Sequence, residues 1–248
     1  MSNTLQNKTA VVTGGGTGIG LAIAKRFAAE GAYVFISGRR QNVLDAAVAE
    51  IGDNVEAVRV DSSRLADIQA LYGTVRERTG SVDVVVANSG GGVPAALGEI
   101  TEVQVDQTFA TNVKGVIFTV QEVLPLLGEK ASIILIGSTT STRVGPAMSV
   151  YAASKAAVRN LARSWAVDLS GRSVRVNVLS PGPTRTPGLL GSAPGHEDEL
   201  LAALAAQTPL GRVAEPTEIA AAALFLASDD ASFVNGIEFF VDGGHAQI

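Results

Sequence analysis

The stretch TGGGTGIG, residues 13–20, decides the fold that this chain is predicted to adopt. It follows a short apolar run, Thr9–Thr13, and opens an amphipathic helical pattern, Gly18–Glu30. Glycine suits positions where the backbone takes a positive φ or approaches another group closely. The free N–H groups at a helix N-terminus bind phosphate groups. A glycine run alone could form only a tight turn, but the order strand, glycine turn and helix predicts a dinucleotide-binding unit.

The rest of the chain continues this alternation of strands and helices. Apolar runs predict further strands at Tyr33–Ser37, Val55–Val60, Val82–Ala87, Ser132–Ile136, Val174–Leu179 and Ile237–Val241. Helical patterns lie between them at Asn42–Ile51, Leu65–Thr79, Val103–Leu127, Tyr151–Ser170 and Thr217–Ala227. Several strands are apolar at every position, which is typical of strands buried on both faces of a parallel sheet. We therefore predict an α/β fold with a doubly wound, parallel, seven-stranded sheet of the Rossmann type and helices on both faces.

Composition limits the classes of function. No linker or repeat divides the 248 residues, so we predict one domain, 1–248. The net charge of −5 argues against nucleic-acid binding, and the absence of cysteine excludes disulfides and a cysteine nucleophile. The polar start of the chain and the shortness of its apolar stretches predict a cytoplasmic protein that does not enter a membrane. The only histidines, His196 and His245, lack ligand spacing, so no catalytic metal is expected.

A second group of motifs follows the later strands, at the edge of the sheet where ligands bind. Tyr151 and Lys155 are four residues apart and share one face of a predicted helix. Ser138 follows the fifth predicted strand, and Asn112 lies inside a predicted helix, where an amide is a poor choice. A tyrosine beside a lysine is often only a surface pair. Its position behind Ser138 and the glycine turn predicts a reactive site instead.

With these motifs, the chain resembles the single-domain branch of the short-chain dehydrogenase/reductase family over essentially its whole length. It looks most like the bacterial NADP-dependent alcohol dehydrogenases and ketoreductases. The glycine spacing Gly-x-x-x-Gly-x-Gly and the interval of thirteen residues between Ser138 and Tyr151 carry the resemblance. It implies that four residues are catalytic in the interconversion of a ketone and a secondary alcohol: Asn112, Ser138, Tyr151 and Lys155.

The residue types fit that chemistry, in which hydride goes to carbon and a proton goes to oxygen. An ammonium group on Lys155 favours the phenolate, so it is expected to lower the pKa of Tyr151. Tyr151 would then donate the proton in reduction and accept it in oxidation. Ser138 would hydrogen-bond the substrate oxygen where negative charge develops. The resemblance further implies that Lys155 binds the nicotinamide ribose and that Asn112 supports a water chain.

The end of the second strand, Ser37-Gly38-Arg39-Arg40, predicts NADP(H) as the cofactor. An enzyme selective for NAD places an acidic residue here to bind the ribose 2′-hydroxyl. The resemblance aligns Gly38 with that position, and Arg39 could pair with a 2′-phosphate. Both arginines could instead be ordinary surface residues.

Three further segments complete the predicted cofactor groove by resemblance. Asp61 and Ser62 would lie beside the adenine, and Pro181–Thr186 beside the nicotinamide carboxamide. Asn88 falls in the family's Asn-Asn-Ala-Gly segment, which is only loosely matched here, and it could serve only to hold the sheet together. The full predicted set is Gly14, Gly16, Thr17, Gly18, Ile19, Gly20, Ser37, Arg39, Arg40, Asp61, Ser62, Asn88, Gly90, Tyr151, Lys155, Pro181, Gly182, Thr184 and Thr186.

The segment Gly182–Thr208 is the longest break in the alternating pattern. Long loops in compact domains are often lids, so we predict a substrate lid at about 188–206, with a merely variable surface loop as the alternative. The resemblance also implies a homotetramer that uses the central helices and the last strand.

Three interpretations of the function stay open. The first is a reductase for a small, fairly apolar ketone. The second is a 3-oxoacyl-(acyl carrier protein) reductase, for which Lys130 and Arg172 could form a basic patch beside the active site. The third is a non-catalytic NADP(H) sensor on the same fold.

Overall fold

The computed structural model describes residues 4–248. One parallel sheet runs through them, in the order β3-β2-β1-β4-β5-β6-β7. Its strands are β1 Thr9–Thr13, β2 Tyr33–Gly38, β3 Val55–Arg59, β4 Val82–Ala87, β5 Leu127–Ile136, β6 Arg175–Pro181 and β7 Glu238–Val241. This confirms the predicted seven-stranded, Rossmann-type sheet.

Helices cover both faces of the sheet. They are α1 Gly18–Ala29, α2 Gln41–Ile51, α3 Leu65–Arg78, α4 Glu102–Phe109, α5 Gly115–Val123, α6 Ser149–Asp168, α7 Pro187–Leu190, α8 Glu197–Ala206 and α9 Pro216–Ala227. Neighbouring residues of a strand point to opposite faces. Val11 therefore packs into a core built with α3, α5 and α6, whereas Val12 packs into a second core with α1, α2 and α9.

The predicted helix Val103–Leu127 is wrong in its detail. Helix α4 ends at Phe109, a five-residue π-helical turn covers Ala110–Lys114, and α5 continues to Val123. A 3₁₀ turn follows, and β5 begins at Leu127, five residues before the predicted Ser132. The early start was hidden because Leu127 pairs with Val82 across a register irregularity, while Ser132 begins the regular ladder.

The sheet order places the sequence motifs together. Strand β1 lies between β2 and β4, so the chain reverses its direction of winding at the β1–β4 boundary. In open α/β sheets ligands bind in the crevice outside the carboxyl ends of the strands at such a point. Among residues 4–248, no helix combines the length and the apolar character that crossing a bilayer requires.

Candidate active site

The glycine turn after β1 is shaped by contacts that leave no room for side chains. A Cβ on Gly20 would lie 2.2 Å from the carbonyl oxygen of Gly14, and Gly14 and Gly18 have φ angles of +65° and +55°. Gly16, Thr17 and Ile19 lie in the same turn and at the start of α1. The backbone N–H groups that open α1 therefore stand at the carboxyl edge of the sheet, where a pyrophosphate is predicted.

Asn88 connects β4 to this turn. Its Nδ2 donates to the carbonyl oxygens of Thr13 at 2.9 Å and Gly14 at 3.2 Å. In return, Thr13 Oγ1 accepts from the backbone N–H groups of Asn88 at 3.0 Å and Ser89 at 3.1 Å. The Asn88 side chain thus has the structural role that the sequence left open, and it fixes the outline of the glycine turn.

The end of β2 presents two arginines to solvent. Arg39 and Arg40 are exposed, and neither forms an ion pair closer than 4.0 Å within residues 4–248. Although partial burial alone raises the pKa of Asp61, its hydrogen bonds with Ser63 and the positive charges of Arg39 and Arg64 together hold that pKa below its ordinary value. Arg39 therefore acts electrostatically on the Asp61 end of the groove.

Two serines are predicted to contact the adenosine part of the cofactor. The side chain of Ser37 is buried, and that of Ser62 is hydrogen-bonded to another residue of the protein. Ser37 is completely buried and its hydroxyl has no hydrogen-bond partner within residues 4–248, so its contribution to a 2′-phosphate pocket stays a prediction. Ser62 Oγ donates to Ser89 Oγ at 2.9 Å and so joins the ends of β3 and β4.

The segment after β6 approaches the glycine turn. Thr184 is buried, and its hydroxyl donates to the Gly182 carbonyl oxygen at 2.9 Å. Thr186 caps α7 by accepting from Leu189 N at 3.1 Å. Its methyl carbon lies 3.2 Å from the position that a Cβ on Gly18 would take. Thr186 therefore lies beside the glycine turn, and the hydroxyl of Thr184 is engaged within its own loop; the contact of each with the nicotinamide stays a prediction.

Ser138 stands just beyond β5, at the start of a 3₁₀ turn covering Thr139–Ser141. Its Oγ accepts from the backbone N–H of Thr140 at 3.2 Å and from Thr140 Oγ1 at 2.9 Å. Because both lone pairs are engaged, the Ser138 hydrogen is left to donate. The Ser138 hydroxyl interacts with the Tyr151 phenol, where it opposes the rise in pKa that burial causes.

Helix α6 brings Tyr151 and Lys155 to the same edge. The ammonium nitrogen Nζ of Lys155 lies 5.7 Å from the centre of the Tyr151 ring and donates to the Ile136 carbonyl oxygen at 2.8 Å. Lys155 is only 4% exposed, and this burial lowers its pKa to about 8.

The predicted effect of Lys155 on Tyr151 is not what the structure gives. Burial raises the pKa of the Tyr151 phenol above its ordinary value, and the nearby Ser138 hydroxyl only partly opposes this. The reason is geometric. The Lys155 ammonium lies over the ring and is hydrogen-bonded to Ile136 instead of reaching the phenol oxygen.

Asn112 lies in the π-helical turn and is completely buried. Its Nδ2 donates to the Gly91 carbonyl oxygen and to Ser154 Oγ, both at 2.9 Å, and its Oδ1 accepts from Gly91 N at 3.1 Å. Single π turns often mark functional sites because the extra residue turns a side chain out of the helical register. Asn112 thereby ties the loop after β4 to α6.

Sequence reasoning missed Gly92 and Thr140. A Cβ on Gly92 would lie 2.7 Å from the Tyr151 ring, so this glycine lets the loop after β4 pack against the phenol. A Cβ on Gly90 would lie 3.3 Å from Lys155 Nζ. The triple glycine at residues 90–92 was a usable signal, since three glycines after a buried strand indicate close backbone approach. Nothing in the sequence distinguishes Thr140 from the threonine before it.

The two basic residues considered for an acyl-carrier patch lie elsewhere. Lys130 is near the start of β5, and Arg172 precedes β6 and donates to the Leu124 carbonyl oxygen at 3.1 Å. Ser138 follows the carboxyl end of β5. It therefore lies at the opposite end of the strands from Lys130 and Arg172. Lys130 and Arg172 therefore cannot form a basic patch beside the candidate site.

A doubly wound sheet with a glycine turn at its switch point defines a dinucleotide-binding fold. The family model described as "Enoyl-(Acyl carrier protein) reductase" matches residues 14–246. The chain is 51% identical over 246 residues to Oxidoreductase asL5 of Sarocladium schorii, covering 98% of each chain. It is 38% identical over 252 residues to the NADP-dependent (R)-specific alcohol dehydrogenase of Lentilactobacillus kefiri, covering 99% of each.

A solved structure gives the same result. The short-chain dehydrogenase/reductase described as a glucose/ribitol dehydrogenase from Brucella melitensis aligns with a TM-score of 0.93 and 31% identity, covering 99% of both chains. The chain belongs to the short-chain dehydrogenase/reductase family of oxidoreductases, whose Rossmann fold binds a nicotinamide cofactor.

Proposed function

We propose that this protein is an NADP(H)-dependent oxidoreductase that interconverts a small, fairly apolar ketone and its secondary alcohol. The observation that carries the proposal is the meeting of Ser138, Tyr151 and Lys155 at the carboxyl edge of the sheet. The serine hydroxyl is near enough to the phenol to influence its pKa, so both groups can reach one substrate oxygen.

Each side chain has a role that its surroundings support. A nicotinamide cofactor, when bound in the groove, would supply the hydride. Tyr151 donates the proton to the carbonyl oxygen, and the high pKa that burial gives its phenol keeps it protonated for this step. Ser138, whose lone pairs are taken by Thr140, donates a second hydrogen bond to the developing oxyanion. Lys155, with a pKa near 8, can exchange a proton close to neutral pH. Because its ammonium does not reach the phenol oxygen, a water molecule would have to pass that proton on to Tyr151.

The choice of NADP(H) over NAD(H) rests on the end of β2. Gly38 carries no carboxylate that would bind a 2′-hydroxyl or repel a 2′-phosphate. Arg39 is exposed and acts on Asp61, so its charge is available at the adenosine end of the groove. Arg40 adds a second exposed guanidinium. The NADP dependence named for the Lentilactobacillus relative supports the same choice.

A small substrate is favoured over an acyl carrier. The loops after β4 and β5 expose Val93 and Val144, whose side chains are 71% and 61% accessible, and Leu189 and Leu190 of α7 are half-buried. These apolar side chains suit a small carbonyl compound. An acidic carrier protein would need a basic surface here, and Lys130 and Arg172 lie at the other edge of the sheet.

The proposal includes a lid and an assembly. Segment 188–206 contains all but the first residue of the short α7 and the whole of the amphipathic α8, and no residue of either helix is buried, as expected of an element that moves. We also propose a homotetramer. Strand β7 is an edge strand with a half-buried surface, and exposed Phe233 and Ile237 precede it. Light scattering at micromolar concentration measures the mass, and a monomer would contradict the assembly.

The decisive assay incubates the purified protein with a panel of ketones and secondary alcohols, each with NADPH and with NADH. We expect oxidation of NADPH by at least one simple ketone. Failure with every ketone, together with tight NADPH binding, would instead support a sensor without catalysis.

A further inference from the structure

A partly buried polar cluster lies directly behind the turn that follows β5. Glu238, the first residue of β7, has a side chain that is 11% exposed. Its Oε1 accepts from Ser141 Oγ at 2.8 Å and from Ser180 Oγ at 2.7 Å. Its Oε2 lies 3.8 Å from Nη1 of Arg159. One carboxylate thus joins β6, β7, α6 and the 3₁₀ turn.

This is a costly way to join secondary-structure elements. Removing a carboxylate from water is unfavourable, and apolar side chains of similar size often stabilise a fold as well or better. What charge-assisted hydrogen bonds add is defined geometry, because they are short and directional. We therefore explain the cluster by its effect on geometry: it fixes the positions of the side chains and backbone segments that it joins.

The backbone before the turn is shaped to admit the cluster. The N–H of Gly137 donates to the Leu179 carbonyl oxygen at 2.8 Å, so the pairing of β5 with β6 extends one residue past Ile136. A Cβ on Gly137 would lie only 2.3 Å from Ser180 Oγ. The hydroxyl of Ser180 therefore occupies the space that a side chain at 137 would need. Ser138, the next residue, is fixed from this side by the sheet.

The cluster also fixes Ser138 from the other side. Ser141 ends the 3₁₀ turn, and its hydroxyl is tied to Glu238. Within the same turn, Thr140 N and Oγ1 occupy the lone pairs of Ser138 Oγ. Any shift of Ser141 moves Thr140, and with it the direction in which the Ser138 hydrogen points.

We propose that Glu238 is a positioning residue for Ser138, which it orients through Ser141 and Ser180. The proposal rests on the proposed function, because it takes Ser138 as the hydrogen-bond donor to the substrate oxygen. Glu238 itself touches neither substrate nor cofactor. Through Arg159, four residues after Lys155 on α6, the same carboxylate also sets the helix that carries the phenol against the turn.

The first test compares three variants. Glu238→Ala removes the acceptor, and we expect kcat for ketone reduction to fall about tenfold, since misplacing a reacting group by a fraction of an ångström is costly. The KM for NADPH should stay within about twofold, because the predicted phosphate site lies at α1. Glu238→Gln keeps an acceptor oxygen and should restore most of the activity. Ser141→Ala should reproduce the loss, and it covers the case in which Glu238→Ala does not fold.

The chain offers a matched control. Glu56 on β3, at the opposite edge of the sheet, accepts from the Tyr33 hydroxyl at 3.1 Å and pairs with Arg78 at 3.2 Å. Glu56→Ala removes a comparable carboxylate far from Ser138. It should leave kcat within about twofold of the unaltered protein, whatever it does to the unfolding free energy.

A double-mutant cycle separates positioning from a general structural effect. In a Ser138→Ala background, Glu238→Ala should cost less than about twofold more, because residues that act through one another are not additive. A tenfold loss in both backgrounds overturns the proposal, as does normal kcat in folded Glu238→Ala and Ser141→Ala proteins. If Ser138→Ala alone keeps normal turnover, the proposed function fails and this inference fails with it. A loss at Ser138 without a loss at Glu238 or Ser141 refutes the inference alone.

Discussion

The glycine turn after β1 and the turn after β5 that contains residues 138–141, here called the serine turn, lie at the same edge of one sheet. Different interactions hold the two turns in place. The glycine turn is shaped by missing side chains, since a Cβ on Gly20 would collide with the Gly14 carbonyl. The serine turn is shaped by side-chain hydrogen bonds, from Thr140 to Ser138 and from Ser141 to Glu238. Adding a side-chain atom should therefore disturb the glycine turn, whereas removing a side-chain oxygen should disturb the serine turn and its surroundings.

The largest expected effect comes from removing one oxygen beside the serine turn. Tyr151→Phe takes away the proton donor, so kcat should fall by at least about 10²-fold while NADPH binding is kept. Steady-state kinetics and a cofactor titration measure the two quantities. Tyr72→Phe is the control, because Tyr72 is also buried and its hydroxyl donates only to the Thr119 carbonyl oxygen at 2.8 Å. Near-normal turnover of a folded Tyr151→Phe protein would refute the assignment.

Burial of Lys155 should be visible in the pH dependence of stability. Its pKa is about 8 in the folded protein and 10.5 when unperturbed, so the unfolded chain binds more protons between these values. The free energy of unfolding should then rise with pH across this window by up to about 3 kcal/mol from this residue. The rise should disappear in Lys155→Met and persist in Lys25→Met, an exposed control.

Urea unfolding without cofactor at pH 8 and at pH 10 gives the difference for Lys155. A rise that is identical in the unaltered protein and Lys155→Met would mean that Lys155 is solvated, and that the lowered pKa plays no part in the site.

The glycine turn can be tested by adding a single methyl group. Gly20→Ala should destabilise the fold by about 1–3 kcal/mol, because a backbone oxygen at 2.2 Å cannot move aside easily. Gly73→Ala, in α3 with nothing within 4 Å of the new Cβ, should be neutral or stabilise by up to about 1 kcal/mol. Thermal and urea unfolding compare the two. Equal effects would mean that the turn adapts to side chains.

The preference for NADPH or NADH tests whether the groove beside the glycine turn also binds the cofactor through a charged side chain. A charge-assisted hydrogen bond of roughly 1.5–3 kcal/mol, lowered by exposure, predicts a preference for NADPH of about 10- to 100-fold in kcat/KM. Gly38→Asp with Arg39→Leu should remove or reverse it. An added Cβ at Gly38 meets only Leu44, at 3.5 Å, so the variant should fold. Equal use of both cofactors by the natural protein would place Arg39 outside the pocket.

The smallest effect is expected at the lid. Leu189→Ala with Leu190→Ala should raise the KM of apolar ketones by roughly 3- to 10-fold, because each truncation loses part of an apolar contact. Ile51→Ala, a similar truncation at the end of α2, should leave KM unchanged. If the KM values of several ketones do not respond, α7 does not cover the substrate.

The sequence alone determined the sheet and the glycine turn, and its resemblance to the family indicated the four candidate catalytic residues. Buried parallel strands are apolar at every position, and glycine is the residue that a crowded turn requires, so both features are local in the chain. The start of β5 at Leu127 escaped prediction because its pairing crosses a register irregularity. The π turn at Asn112 escaped because it depends on hydrogen bonds to Gly91 and Ser154, which are distant in sequence.

Tertiary structure alone decided the electrostatics of the site. Four-residue spacing placed Tyr151 and Lys155 on one face, but only the packed fold buries the lysine, directs its ammonium to the Ile136 carbonyl and leaves the pKa of the phenol raised. Tertiary structure also brought Glu238, nearly one hundred residues along the chain, against Ser141. Desolvation and long-range hydrogen bonds depend on what surrounds a group in space, and no local pattern of residues records that.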